Sequence, residues 1–322
     1  MPAGTRNARF VNSLERSSRA STCGMRWIPP ALAEEFAARD TDAYRIADGE
    51  ECRIERFGDG VIISHAAERL PFGIPDELAK WFERAGVTTE RIYTRRLVPE
   101  PTQRDAPRPI GRAPSQRTCI VHEEGLCYEI DFLAGYSCGL FLDQRANRQR
   151  LRAAKANKVL NLFSYTCSFS VAGAAGGART LSVDLSKAAL GRGRRNFALN
   201  RLSLEGHRFI ADDVFRLLPR LARRGETFDA IVLDPPTFSR AHSGSVFRAE
   251  RDYGRLIEMA LACAAPRALI LLSTNCSKLN QSQLRTLASR HVCLPVRFFV
   301  SSELPDIPLR HGAATVWMQI ER

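Results

Sequence analysis

Four short apolar runs, three of them closing on acids, occupy residues 158–239 and constrain the fold more than any other part of the chain. Val159-Leu160-Asn161-Leu162-Phe163 leads into the small-residue segment Ser164 to Gly177. Arg179 to Val183 delivers Asp184, His207 to Ala211 delivers Asp212 and Asp213, and Phe228 to Leu233 delivers Asp234. Runs this short, bounded by polar and turn-forming residues, read as buried strands, and each is separated from the next by a stretch of helical length. The pattern is βαβαβαβ. A strand that returns parallel to its predecessor needs a crossover, usually a helix. The prediction is therefore an α/β fold, a doubly wound and mostly parallel sheet with helices on both faces. Further runs at Ala268 to Ser273, Val292 to Val300 and Ala313 to Ile320 bring it to seven strands. Ligands of such sheets bind beyond the carboxyl ends of the strands, where these acids fall.

At 322 residues the chain is longer than one typical domain. Residues 1–25 are rich in Ser, Arg and Ala and read as a disordered tail, with Met25 a candidate start. Residues 26–117 read as a smaller α+β domain for binding RNA or substrate. Its signals are a helix after Pro29-Pro30, a hairpin at Phe57-Gly58-Asp59-Gly60 and an amphipathic helix from Pro75 to Ala85. Pro99 to Pro114 is Pro- and Arg-rich and reads as a loop. The larger domain is expected over 118–322. It would open with a hairpin around His122-Glu123-Glu124-Gly125 and a basic helix from Arg145 toward Lys155. The polar stretch from Ser239 to Ser245 reads as a loop near the site. No run is long enough for a membrane span and no secretory signal is visible. The nine cysteines form no C-x-x-C pair, so reduced core thiols in a cytoplasm are expected rather than a metal site.

Charge points to a polyanion. Lys and Arg number 47 against 35 Asp and Glu, a net +12, and the excess is clustered. Arg91 to Arg117 holds seven arginines and two acids, and Arg145 to Lys158 holds six basic residues and no acid. RNA or DNA fits better than a membrane, because no apolar face accompanies the charge. A composition favouring arginine throughout would give the same count.

Asp184 ends the second run roughly twenty residues past the first loop, the place of an acid that accepts hydrogen bonds from a ribose diol. A helix cap explains the same position, since Asp184 and Ser186 both precede the helix from Lys187. The loop Phe163-Ser164-Tyr165-Thr166-Cys167-Ser168 lacks the glycines that admit a pyrophosphate, so a nicotinamide or flavin is disfavoured and a nucleoside without phosphates fits. Asp234-Pro235-Pro236 is more specific. Two prolines fix an extended turn in which the carboxylate can face a planar polar group such as a base edge.

Together, Asn161-Leu162-Phe163-Ser164-Tyr165-Thr166, Asp184-Leu185-Ser186-Lys187-Ala188, Asp213-Val214-Phe215, Asp234-Pro235-Pro236-Thr237-Phe238-Ser239 and Gly139 through Arg148 resemble the S-adenosylmethionine-dependent methyltransferases of large-subunit ribosomal RNA. The similarity is greatest to the cytosine-C5 branch, and a guanine-N7 branch is related. The resemblance implies a Rossmann-like methyltransferase domain binding S-adenosyl-L-methionine. Asn161, Phe163 and Tyr165 would lie by the methionine part, Asp184 and Leu185 by the ribose, Asp213 and Val214 by the adenine, and Asp234 at the reacting end. Arg145 and Arg148, with Arg150 and Arg152, are candidate phosphate contacts by their charge, and Phe141, Gln144, Pro235, Pro236 and Phe238 complete the expected substrate contacts. Where the family usually carries Gly, this chain has Cys167.

Cys276 stands in Ser273-Thr274-Asn275-Cys276-Ser277, where the cytosine-C5 enzymes place their nucleophile. Carbon 5 of cytosine is too weak a nucleophile to take a methyl group unaided. A thiolate adding to carbon 6 activates it, and Asp234 near N3 would stabilise the adduct. Cys276 and Asp234 are thus the catalytic candidates. Three readings stay open: cytosine-C5 transfer through Cys276, transfer to guanine N7 or another ring nitrogen with Cys276 a core residue, and an RNA-binding assembly factor without catalysis.

Overall fold

The computed structural model describes residues 24–98, 106–111, 114–240, 244, 246–308 and 312–321. Apart from Gly24 and Met25, the expected tail lies outside these residues, as do parts of the expected loops at 99–114 and 240–245. Among the described residues no helix is long and apolar enough to cross a membrane. The chain forms two compact units, dividing between Leu142 and Asp143.

The first unit is a six-stranded sheet in chain order: β1 (Arg26–Trp27), β2 (Ala43–Asp48), β3 (Cys52–Phe57), β4 (Gly60–His65), β5 (Arg91–Arg96) and β6 (Arg108–Pro109). Only β4 and β5 pair parallel, and the helix α2 (Ile74–Ala85) makes that crossover. It buries Leu78, Trp81 and Phe82 beside α1 (Pro30–Ala38), whose Phe36 is fully buried. The arginine-rich β5 escapes a hydropathy reading because its inward positions are Arg91, Tyr93 and Arg95. Arg91 is paired with Asp59 and also donates to the carbonyls of Gln116 and Thr118. Arg95 donates to Ser64, Glu55 and the Tyr136 carbonyl. Burial alone would raise the Glu55 carboxyl, but Arg53, Arg45 and Arg95 hold it down at about 2. Part of the Arg91–Arg117 excess is therefore neutralised internally.

The division corrects the boundary expected at 117/118. The hairpin β7 (Thr118–Glu123) and β8 (Leu126–Asp131) is fastened to the first unit. The Asp42 amide donates to the His122 carbonyl at 3.0 Å, and the His122 amide to Asp42 Oδ1 at 2.7 Å. Phe132, just past β8, stacks on Tyr93 at 4.4 Å and occupies the space over Gly60, where a Cβ would come within 2.3 Å of its ring.

The second unit is the expected doubly wound sheet. After a 3-10 turn (Leu142–Gln144) come α3 (Arg145–Ala153), β9 (Lys158–Leu162), α4 (Ser168–Ala175), β10 (Arg179–Asp184), α5 (Lys187–Leu199), β11 (Arg208–Ala211), α6 (Val214–Arg223) and β12 (Phe228–Leu233). There follow a hairpin, β13 (Phe238–Arg240) and β14 (Val246–Arg248), then α7 (Ala249–Leu261), β15 (Ala264–Thr274), α8 (Gln281–His291), β16 (Val296–Phe299) and β17 (Ala314–Ile320). The seven strands lie in the order β11-β10-β9-β12-β15-β17-β16, parallel except for β17. From β9 the strand order runs outward to β10 and β11 on one side and restarts with β12 on the other, so the topological switch point where such sheets bind ligands lies between β9 and β12. Because the central strands are covered on both faces, they read as continuous apolar runs. Leu160 and Leu162 join the core with α6, α7 and α8, while Val159, Val232 and Leu271 pack with Leu151 of α3 and Phe169 of α4 on the other face.

Candidate active site

Beyond β9 the backbone takes three left-handed turns without a glycine, at Phe163 (φ 57°), Tyr165 (φ 47°) and Cys167 (φ 61°). This coil brings the Tyr165 amide to Asp184 Oδ2 at 2.8 Å, across the β9–β10 pairing. The Ser186 amide binds Oδ1 of the same carboxylate at 2.8 Å. Ser186, not Asp184, caps α5, accepting from the Ala189 amide at 3.1 Å. Capping therefore does not account for Asp184. Its carboxyl is raised above 3.8 by burial, against the opposing amides of Ser186, Tyr165 and Leu185. An ionised carboxylate offers about four lone-pair sites, so oxygens fixed by amides can still accept hydroxyl hydrogens.

Asp184 and Leu185 open onto a cavity of about 340 Å³, with Phe163, Asp213, Val214 and Phe215 from the ends of β9 and β11. Asp213 caps α6 through the Phe215 amide at 2.8 Å, whereas Asp212 is paired with Arg220 and Arg216. Phe247 closes the far wall, its ring 5.8 Å from Phe163 and 5.7 Å from Phe215. Phe247, Phe215 and Arg255 are wall residues that sequence reasoning missed. Phe247 sits on β14, a strand of three residues with only its middle one buried, too short to announce itself.

Asp234 ends β12 and is held differently. Ser273 Oγ donates to its Oδ1 at 2.6 Å, Gln144 Nε2 to Ser273 Oγ at 2.8 Å, and Asn147 Nδ2 to Gln144 Oε1 at 2.8 Å. Trp317 Nε1 in turn donates to Asn147 Oδ1 at 2.8 Å. Every donor in this relay points toward Asp234, so the dipoles add. Burial nevertheless dominates: the carboxyl is pushed up to about 6, with Asp143 raising it further while Ser273 and Arg148 oppose. Tyr253 locks the neighbouring strand ends together. Its hydroxyl lies 3.0 Å from the Leu233 carbonyl and 2.9 Å from that of Ser273, and accepts from the Ser273 amide at 2.8 Å.

Cys276 lies three residues past Ser273 and is 7% exposed. Its amide donates to Thr274 Oγ1 at 3.1 Å and its carbonyl accepts from Leu279 at 2.9 Å. Lys278, salt-bridged to Glu250, has its ammonium raised mainly by Glu250 and also by Cys276. Asp234 and Cys276 thus stand beyond the carboxyl ends of adjacent strands, though neither lines the 340 Å³ cavity.

Several expected contacts are corrected. Asn161 is 1% exposed and donates to Ser170 Oγ at 2.9 Å beneath the loop, so its side chain supports the site rather than lining it. Gln144 is buried in the relay. Arg145 is paired with buried Asp306, and Arg148 is buried beside Phe169, 5.9 Å from its ring. None of these three is placed as an open contact for an incoming substrate. Tyr165 contributes its amide to Asp184. Pro235 is buried, Pro236 is exposed, and Phe238 is exposed with Arg248 over its ring. Phe141 is exposed and belongs to the first unit. Cys167 turns its thiol inward, fully buried against α5 at Gly193, where a Cβ would come within 2.4 Å of the sulfur. The loop needs no glycine there because the side chain leaves on the side away from Asp184's cavity.

Residues 106–313 match the family described as S-adenosylmethionine-dependent methyltransferase. The chain belongs to that family. A Bacillus subtilis member, named as a candidate ribosomal RNA large subunit methyltransferase, YwbD, is 33% identical over 264 residues, covering 79% of this chain and 66% of its own. Ribosomal RNA large subunit methyltransferase I of Aeromonas salmonicida is 38% identical over 176 residues, 54% of this chain and 44% of that one. The chain therefore spans about half to two thirds of the length of these curated relatives. A crystal structure of a candidate methyltransferase complexed with SAH superposes with a TM-score of 0.78 at 27% identity, over 90% of this chain and 78% of that one. The cofactor for which this methyltransferase family is named fits the cavity: aromatic walls suit a flat adenine, and the amide-anchored Asp184 suits a ribose diol.

Proposed function

We propose that the chain methylates carbon 5 of a cytosine in large-subunit ribosomal RNA, with Cys276 as nucleophile and Asp234 as the acid at N3. The observation that carries the reading is the Asp234 carboxyl, pushed up to about 6 by burial at the strand end next to that leading to Cys276. An ordinary aspartate near 3.8 is almost wholly ionised at neutral pH; near 6 roughly a tenth keeps its proton, enough to serve a base edge as donor. The names of the relatives support the RNA class, and the positive charge supports a polyanion.

The bound cofactor supplies an electrophilic methyl group. The Cys276 thiolate adds to carbon 6, and the Asp234 proton passes to N3 as electron density moves to carbon 5. Carbon 5, made nucleophilic by that addition, could then accept the methyl group that a bound S-adenosylmethionine would supply, the methyl–sulfur electron pair remaining with the cofactor. A base removes the proton from carbon 5, Cys276 leaves with the electron pair of its bond to carbon 6, and the N3 proton returns to Asp234. Lys278 places positive charge near the departing thiolate, and the Ser273 relay steadies Asp234 whenever it is ionised. The target base must leave its stack to reach this edge.

The test is Cys276→Ala. Methyl transfer should fall by roughly three orders of magnitude or more, and 5-fluorocytosine RNA should no longer be trapped covalently, while calorimetry shows cofactor binding retained. Undiminished turnover overturns the thiol step, and nucleoside mass spectrometry finding the methyl group on guanine N7 replaces the reading with the ring-nitrogen one.

A further inference from the structure

At the opposite, amino-terminal end of the parallel strands the second unit carries a groove of about 1030 Å³. Its lining includes Arg150, Lys155, Arg267 and Arg297, with Phe299 among them. Among the described lining residues the one acid, Asp229, is engaged by the amides of Asn157 and Lys158 at 3.1 and 2.8 Å, while Arg297 is paired with Glu321 at 4.0 Å and donates to Gln319 Oε1 at 3.0 Å. Arg150 lies 4.9 Å over the Phe299 ring, joining a flat apolar surface to a positive charge. Grooves for single-stranded nucleic acid combine these elements, a cationic track with planar groups against which bases stack.

Backbone geometry adds an independent sign. Lys155, two residues past the end of α3, has φ 48°, and Arg267, in the register shift of β15 against β12, has φ 63°. Both stand in the left-handed region that residues with a Cβ disfavour and glycine tolerates. Helices commonly end on glycine in this conformation, and irregular strand pairing re-aims a side chain. At both places the chain holds an exposed cation instead. Left-handed backbone held by a residue other than glycine is a place to look for function.

We propose that this groove binds the phosphodiester backbone of a single-stranded RNA segment flanking the target, holding the substrate at the end of the sheet away from the chemistry. The inference rests on the ribosomal RNA reading above. Its test uses the double variant Lys155→Gly with Arg267→Gly, which relieves both left-handed residues and so should melt no lower than the parent. Binding to an in vitro transcript of large-subunit ribosomal RNA is measured from 50 to 200 mM salt. The variant should lose about tenfold in affinity or more, and the slope of log affinity against log salt should fall by roughly 1.4, about 0.7 for each single-strand phosphate contact removed. Cofactor affinity by calorimetry should be unchanged. Parent and variant binding alike, or affinity lost with no change of slope, overturns the groove while leaving the methylation reading in place. A parent that binds no RNA while binding the cofactor overturns both.

Discussion

The two acids of the carboxyl edge are built in opposite ways. Asp184 is held by main-chain amides of its own and the neighbouring loop, whereas Asp234 is held by a side-chain relay through Ser273, Gln144, Asn147 and Trp317. Backbone amides neither titrate nor rotate away, so Asp184 is fixed once the fold forms. A relay can be broken one side chain at a time, and its acid is tuned near neutrality. On the proposed roles, the position assigned to cofactor binding is anchored by the fold, and the position assigned to chemistry by replaceable groups.

Asp234→Asn should break this contrast most severely. The amide cannot deliver or recover a proton at N3, and methyl transfer should fall by about two to four orders of magnitude with cofactor affinity little changed. The same variant reports on stability. In the unfolded chain the carboxyl ionises near 3.8, and in the fold near 6. The folded state therefore holds the proton through a window in which the unfolded chain has lost it. That stabilisation is fully present below about pH 4 and is lost as pH rises through about 6. Denaturant titrations should show the variant gaining on the parent by up to about 3 kcal/mol between those limits; a difference independent of pH would refute the shifted acid.

Asp184→Ala sharpens the comparison from the other side. Removing the carboxylate deprives two amides as well as the ribose, so calorimetry should show cofactor affinity reduced by roughly 30- to 100-fold. An affinity within a few-fold of the parent would place the ribose elsewhere. Cys167→Gly should do least. Relief of the left-handed backbone, worth about 1 kcal/mol, is opposed by the lost packing of a buried thiol. Melting should shift by no more than a few degrees, and cofactor affinity should hold. A large loss of cofactor binding would show the thiol facing the cavity after all.

The sheet was legible because parallel strands covered on both faces must be apolar along their whole length, which leaves an unmistakable mark at Val159–Leu162, Arg179–Val183 and Phe228–Leu233. The acids at their ends were legible for the same reason. The domain boundary was not: the alternation of β7 and β8 reads identically whichever unit they dock on, and the contacts that decide it, Asp42 with His122 and Phe132 with Tyr93, are far apart in sequence. Sequence alone makes Arg145, Arg148 and Gln144 look like open contacts, because a buried ion pair or relay has no local signature. A surface helix and an inward-facing one can carry the same arginines until partners such as Asp306 are located. The strands of the β13–β14 hairpin escape a sequence reading, which gives only the loop from Ser239 to Ser245, since three residues carry too little pattern, and Phe247 is missed with them.

The fit of Cys167 under Gly193 means that loop and helix were cut to one another. Anyone grafting this segment onto another scaffold would have to move both residues together. A side chain as small as alanine at 193 would drive into the sulfur and push on the turn that presents the Tyr165 amide, so a methyl group on α5 would disturb the Asp184 carboxylate without ever approaching it.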